Sequence, residues 1–139
     1  MQIDSLSDPQ IEQLFELLEK QWGMKGRSLN DLRLTIQNSS VIVAFAEKDT
    51  GRLVACCRVL TDFVFQASVH GVIVAEDWRG RGLGRRLMDA VVYHPRLQHV
   101  RSTWLRCFPE MQRFYEMWGF AVPTDDVVFM KLQREDGVK

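Results

Sequence analysis

Cysteine is scarce in this chain: three in 139 residues, two of them adjacent (Cys56 and Cys57) and the third, Cys107, far along, with no Cys-x-x-Cys pair. An odd, scattered set of this kind excludes a disulfide framework and a zinc knuckle and points to the reduced thiols of a cytoplasmic protein. His94 and His99 lack the spacing of a metal pair, so no metal is expected. Apolar runs are short as well. None approaches the length of a signal segment or a membrane span, and the opening MQIDSLSDPQ is polar and acidic, so no membrane partner is expected. An excess of one charge is also missing: 18 Lys plus Arg stand against 18 Asp plus Glu. That balance argues against a nucleic-acid partner and against an acidic disordered chain alike. With 46% hydrophobic and 26% charged residues, the chain reads as one globular domain over residues 1–134 with a frayed tail at 135–139. A domain of this length buries roughly two-thirds of its unfolded surface without metal or disulfide.

The neutral total is a sum of unequal parts. Residues 1–20 carry a net of −4, residues 21–78 are balanced, residues 79–106 hold seven arginines and only Asp89 for +6, and residues 107–139 carry −2. The cationic stretch is all arginine, whose rigid fork of donors suits phosphate oxygens, so a small polyanion bound locally is a sharper reading than diffuse attraction.

Hydrophobic spacing outlines the elements. Ile11, Leu14, Phe15, Leu18 and Trp22 repeat as one helical face, with Asp8 as the N-cap and Pro9 in the first turn. Ser28 opens a second helix through Leu29, Leu32 and Ile36. VIVAFA from Val41, a turn at 48–51 and LVACCRVL make a hairpin of mostly buried strands, followed by a third strand over 67–75. Then come a helix through Leu83, Leu87, Ala90 and Val91, a short strand over 103–108, a helix over 110–118 and a last strand over 127–132. The order is mixed α/β.

The most informative segment is VIVAEDWRGRGLGRRLMDAVV. A buried strand runs into Arg79, Gly80, Arg81, Gly82, Leu83 and Gly84 and directly into a helix, so successive backbone N–H groups can converge on a pyrophosphate at the helix N-terminus. The ATP-type phosphate loop requires Lys and then Ser or Thr after its last glycine, where this chain has Arg85 and Arg86. The dinucleotide fingerprint requires two residues between its second and third glycines, where this chain has one. What fits is Arg-x-x-Gly-x-Gly, with Arg79, Gly82 and Gly84 in the defining places. This resembles the acetyl-CoA signature of the GNAT superfamily of N-acetyltransferases. The order of elements and the closing FYEMWGF (residues 114–120) match that family over nearly the whole chain, and the segment 93–120 is similar to small bacterial single-domain members.

The resemblance implies a mixed, mostly antiparallel sheet with a V-shaped splay between two central strands, flanked by about four helices. The pantetheine arm of acetyl-CoA, the cosubstrate, would pair with Val72, Ile73 and Val74. Backbone groups from Arg81 to Arg85 would hold the pyrophosphate, with Arg79, Arg85 or Arg86 reaching the 3′-phosphate. The reaction implied is attack of a small-molecule or protein amine on the thioester. Tyr115 stands where the family often places the general acid for the departing thiolate, and its phenol, with a reference pKa of about 10, stays protonated at neutral pH. The base is open between His70, which on a regular strand shares the face of Val72 and Val74, and Asp62, with a water chain as a third route. The related branch more often has Asp where this chain has Gly71, which leaves a noncatalytic acyl-CoA sensor as the alternative. Substrate selection falls to the first two helices and their loop, with Trp22 and Phe63 as walls of an apolar pocket and Asp62 attracting an ammonium. Apolar surface on the last strands would suit a homodimer.

Overall fold

The computed structural model describes residues 1–134. Helix α1 (Asp8–Gln21) is capped one residue earlier than expected, by Ser7 rather than Asp8. The Ser7 hydroxyl accepts from the Gln10 N–H at 3.3 Å, and the Gln10 side-chain oxygen accepts from the Ser7 N–H at 3.0 Å. This reciprocal box satisfies two donors that the helix itself leaves open, and it needs a hydroxyl and an amide three residues apart. Ser28 and Asp31 repeat it at the start of α2 (Leu29–Gln37).

Five strands, β1 (Gln2–Ile3), β2 (Val41–Ala46), β3 (Leu53–Thr61), β4 (Gln66–Val74) and β5 (Ser102–Trp104), form one sheet in chain order. All neighbours are antiparallel except β4 and β5. The two-residue β1 is too short to leave a periodic trace in sequence. Every residue of VIVAFA is buried because both faces of the sheet are covered. Ile11, Leu14 and Leu32 from α1 and α2 lie on Ile42, Ala44, Cys56 and Ile73. On the other face, helix α3 (Leu83–Val92) sets Leu83, Leu87, Met88 and Val91 against Val43, Phe45, Cys57 and Val59. Removing that much apolar surface from water, at roughly 1.5–3 kcal/mol per large side chain, is what holds the layers together. Cys56 and Cys57 therefore belong to opposite faces and cannot bond to each other. Burial pushes the Cys56 thiol up to about 12 and the Cys57 thiol higher still, so both are inert beside the exposed Cys107.

The strand expected over 103–108 stops at Trp104, and the helix expected over 110–118 resolves into a tight turn (Pro109–Met111) and the short α4 (Gln112–Glu116). The strand expected over 127–132 does not form. Its apolar residues, Val127, Val128, Phe129, Met130 and Leu132, are 73–86% exposed, since β-propensity produces a strand only where a neighbouring strand offers hydrogen bonds and packing. The expected frayed tail lies outside the described residues. No helix among the described residues is long and apolar enough to cross a membrane.

Candidate functional site

The sheet opens where β4 and β5 part. Gln66, Ala67 and Ser68 pair with Ser102, Thr103 and Trp104, and there the pairing ends. Beyond it β4 keeps β3 on one side only, while residues 105–108 continue as irregular chain. The splay implied by the resemblance is thus present, and the edge of β4 along Val72, Ile73 and Val74 has no strand beside it, so an extended ligand can hydrogen-bond there as a strand does; the Val74 carbonyl alone is already taken, by Arg79 Nε.

At its end β4 passes through a turn (Glu76–Trp78) into the glycine segment and α3. Gly80 and Gly82 have φ of +77° and +80°, the left-handed region in which a β-carbon collides with the backbone. Gly82 is the N-cap of α3. It offers no side chain to the helix, and the first turn contains no acid. The leading N–H groups of α3 are therefore unsatisfied by the helix and lie at the positive end of its dipole. A pyrophosphate fits this arrangement, because no side chain among the described residues competes for those donors. Gly84 is different: a β-carbon there would meet the Phe114 ring at 3.5 Å, an ordinary contact.

The arginines around the turn have separate tasks. Arg79 donates from Nε to the Val74 carbonyl at 3.1 Å and from its guanidinium to Gln21 Oε1 at 2.6 Å, tying the end of β4 to the end of α1. Arg81 stacks on Trp78 at 4.6 Å and Arg86 on Phe45 at 4.5 Å. Arg85 reaches, among the described residues, only the Met117 sulfur, at 3.5 Å. None of the four has a carboxylate partner among the described residues. The turn is braced from the β2–β3 hairpin. Arg52 holds Asp77 with two bonds of 2.9 Å, and Glu47 accepts from the Trp78 indole at 3.3 Å and from Thr50 at 2.7 Å.

On the α3 face of the sheet, Tyr115 is buried in the core, edge-on to Phe114 at 5.0 Å and to Phe120 at 6.2 Å. Burial, reinforced by the Cys107 and Cys57 thiols, raises its phenol above the usual range, so it stays protonated. Its oxygen makes no hydrogen bond among the described residues and is not sealed from solvent.

The opposite face carries His70. Moving from Cys56 to Arg58 takes two residues on β3, whereas the partners Ile73 to His70 span three on β4. The extra residue is a β-bulge at Gly71, whose φ is +64°. Regular alternation is broken there, so Val72 and Val74 join the core cluster on the α3 face with Ala67 and Val69, while His70 lies with Ser68 on the other. The expectation that His70 shares a face with Val72 and Val74 is corrected by this bulge. Ser68 Oγ lies 2.8 Å from His70 Nε2. Burial, then the Arg58 and Arg106 charges, push the imidazole pKa down, so it is neutral at neutral pH.

Asp62 is occupied by its own turn: Oδ1 accepts from the Val64, Phe65 and Gln66 N–H groups at 2.9, 2.7 and 3.2 Å, which lowers its pKa. Trp22 and Phe63 do not wall one pocket. Trp22 caps α1 and is 45% exposed, whereas Phe63 packs toward the α3 side under the Arg96 guanidinium at 4.3 Å. Sequence reasoning missed Ser68, Arg58 and Arg106. A trace of two of them was visible: Ser68 and His70 are two apart on a strand, and Arg58 is the one charge inside LVACCRVL.

The profile of the acetyltransferase (GNAT) family matches residues 11–120. The chain belongs to the GNAT acetyltransferase family. Among curated GNAT relatives it is 33% identical to serotonin N-acetyltransferase 2, chloroplastic, of Oryza sativa subsp. japonica over 81% of this chain and 57% of that one. It is 28% identical to the uncharacterized N-acetyltransferase ycf52 of Porphyra purpurea over 85% of this chain and 67% of that one. The chain thus spans between about half and two-thirds of the curated relatives it matches. A solved GNAT structure from Xanthomonas campestris pv. campestris superposes with a TM-score of 0.80 at 27% identity, covering 99% of this chain and 96% of that one.

Proposed function

We propose that this GNAT protein transfers the acetyl group of acetyl-CoA to a primary amine by direct attack. The observation that carries the reading is the slot between β4 and β5, which ends at the uncapped N-terminus of α3 and has a neutral imidazole on one face and a protonated phenol on the other. Val72, Ile73 and Val74 pair with the pantetheine arm, and backbone groups from Gly80 to Arg85 hold the pyrophosphate. Arg85, the least engaged guanidinium of the turn, takes the 3′-phosphate, so Arg85→Gln should weaken CoA but not dephospho-CoA.

The incoming ammonium must lose a proton before its nitrogen can attack the carbonyl carbon. His70, neutral and oriented by Ser68, takes that proton. Asp62 is less suited because three N–H donors already hold its carboxylate. As the carbon–sulfur bond breaks, Tyr115 donates its proton to the CoA sulfur. The two transfers then occur from opposite sides of the sheet. A thiol-release assay over a panel of primary amines tests the reading: amine-dependent release supports it. CoA binding without release from any amine supports the noncatalytic sensor instead. Gly71 does not favour the sensor, because the bulge and its φ of +64° supply a backbone reason for glycine there.

The homodimer reading draws support from residues 127–132, which expose an extended apolar stretch. Light scattering on the full chain and on a chain ending at residue 126 tests it; a monomer in both would end it. A reducing compartment such as the cytoplasm suits the three free thiols.

A further inference from the structure

Arg58 is out of keeping with its surroundings. It lies in the middle of β3, flanked by buried Cys57 and Val59, and its backbone partners across the sheet are Ile42 on β2 and His70 on β4. Cys56, two residues away, belongs to the cluster under α1 and α2, so Arg58 projects from that same face. The side chain is half-buried, yet the guanidinium makes no hydrogen bond and no ion pair among the described residues; the ion pairs there involve only Arg33 and Arg52. Removing a guanidinium from water without a partner is unfavourable. No sealed polar side-chain atom lacks a partner among the described residues, so the Arg58 nitrogens still reach solvent and open onto a space rather than into the core.

That space adjoins the amine end of the slot. Arg58 and His70 are directly opposed on adjacent strands, and Ser68 is bonded to His70 on the same face. Arg106 stands on the irregular wall of the slot, close enough for its charge to act on His70. Two cations without carboxylate partners thus flank the residue assigned to receive the ammonium proton. A simple amine entering here meets net repulsion. An amine that brings its own anion does not.

We infer that the acceptor is a small amine bearing a carboxylate or phosphate, bound through Arg58 with Arg106 alongside while its amine faces His70. This rests on the acetyl-transfer reading above and names the substrate class of the same site. Opposed residues on neighbouring antiparallel strands have Cα atoms only about 4.5–5.5 Å apart, so anion and amine are separated by a short chain. The planar fork of Arg58 offers paired donors that a carboxylate or a phosphate can accept equally well.

The experiment compares matched acceptors with and without the anion: β-alanine against propylamine, and phosphoethanolamine against ethanolamine, by thiol release with acetyl-CoA saturating. The anionic member of at least one pair should show kcat/KM at least about thirtyfold higher. Arg58→Gln should reduce that ratio to near unity through KM, Arg58→Lys should restore part of it, and CoA affinity should be unchanged in both. Which pair shows the preference separates carboxylate from phosphate. Equal use of neutral and anionic amines, or a preference that survives Arg58→Gln, overturns the inference and leaves acetyl transfer standing. Binding provides a readout that needs no turnover. With the glycine turn filled by saturating CoA, inorganic phosphate or acetate should raise the melting temperature of the wild type and not of Arg58→Gln. No such difference with either anion also overturns it. Absence of release from every amine, with the anion effect intact, counts against acetyl transfer alone.

Discussion

The two ends of the slot are built from different materials. The end at Gly80, Gly82 and α3 is backbone: its donors are N–H groups that every residue carries, arranged by two positive φ angles and an uncapped helix. The end at Arg58, Ser68 and His70 is side chain, held on the sheet by strand register and one bulge. Backbone chemistry can recognise a phosphate, which every CoA ester presents alike, and it tolerates change in the surrounding side chains. Side-chain chemistry can be rewritten one residue at a time. The proposed cosubstrate end is therefore generic in its chemistry, and the proposed acceptor end is where single side chains can set specificity.

The sharpest way to test that division is to change chemistry without changing binding. Tyr115→Phe removes a single oxygen from a packed ring, so kcat should fall by about 100-fold or more, within the range for loss of a general acid. CoA affinity by calorimetry should hold. Unchanged kcat would remove Tyr115 from the reaction. Gly82→Val attacks the backbone end. A β-carbon at Gly82 meets no protein atom within 4 Å, so the damage is conformational. A left-handed residue with a side chain costs about 1–2 kcal/mol, more when β-branched. CoA affinity should drop at least about tenfold, with the fold retained by circular dichroism; wild-type affinity would show that the turn is not the phosphate site.

A pH profile probes the acceptor end. Burial and the Arg58 and Arg106 charges depress the His70 pKa, so the neutral base persists below pH 6.5 before activity is lost on the acid side. Removing one positive neighbour in Arg58→Gln favours the imidazolium, and the acid inflection should move to higher pH. An inflection that stays in place would mean that a group other than His70 is titrating. The smallest effect separates the two motif glycines. Gly84→Ala should change CoA affinity by less than about threefold, because its β-carbon makes only an ordinary contact with Phe114. A loss as large as that of Gly82→Val would mean that the ligand itself approaches Gly84.

Local signals make the proposed cosubstrate end legible. The glycine turn, the strand before it and the helix after it are contiguous, so spacing alone reveals them, and the splay follows from family resemblance. The acceptor end depends on parity. Reading β4 as a regular strand places His70 beside Val72, and only the pairing of β3 with β4 shows that Gly71 inserts a residue and turns His70 to the other face. No period-two count can contain that, because the bulge is a property of two strands. Asp62 illustrates a second limit: a carboxylate in a turn reads as an attractor for cations until its own backbone is seen to hold it. At the C-terminus, VVFMKL has the composition of a strand, yet its state depends on a neighbour that composition does not mention.

The brace from Arg52 to Asp77 and from Glu47 to Trp78 has a consequence for how the cosubstrate is met. The Arg52–Asp77 bonds are exposed and the Trp78–Glu47 bond is half-buried, and each is worth little by itself. Together they fasten the segment before the glycines to a hairpin that is rigid for its own reasons, so the turn has little conformational freedom left to lose when a phosphate arrives. Ordering that would otherwise accompany binding has already taken place during folding. Recognition of a phosphate at this end should then be fast and close to lock-and-key.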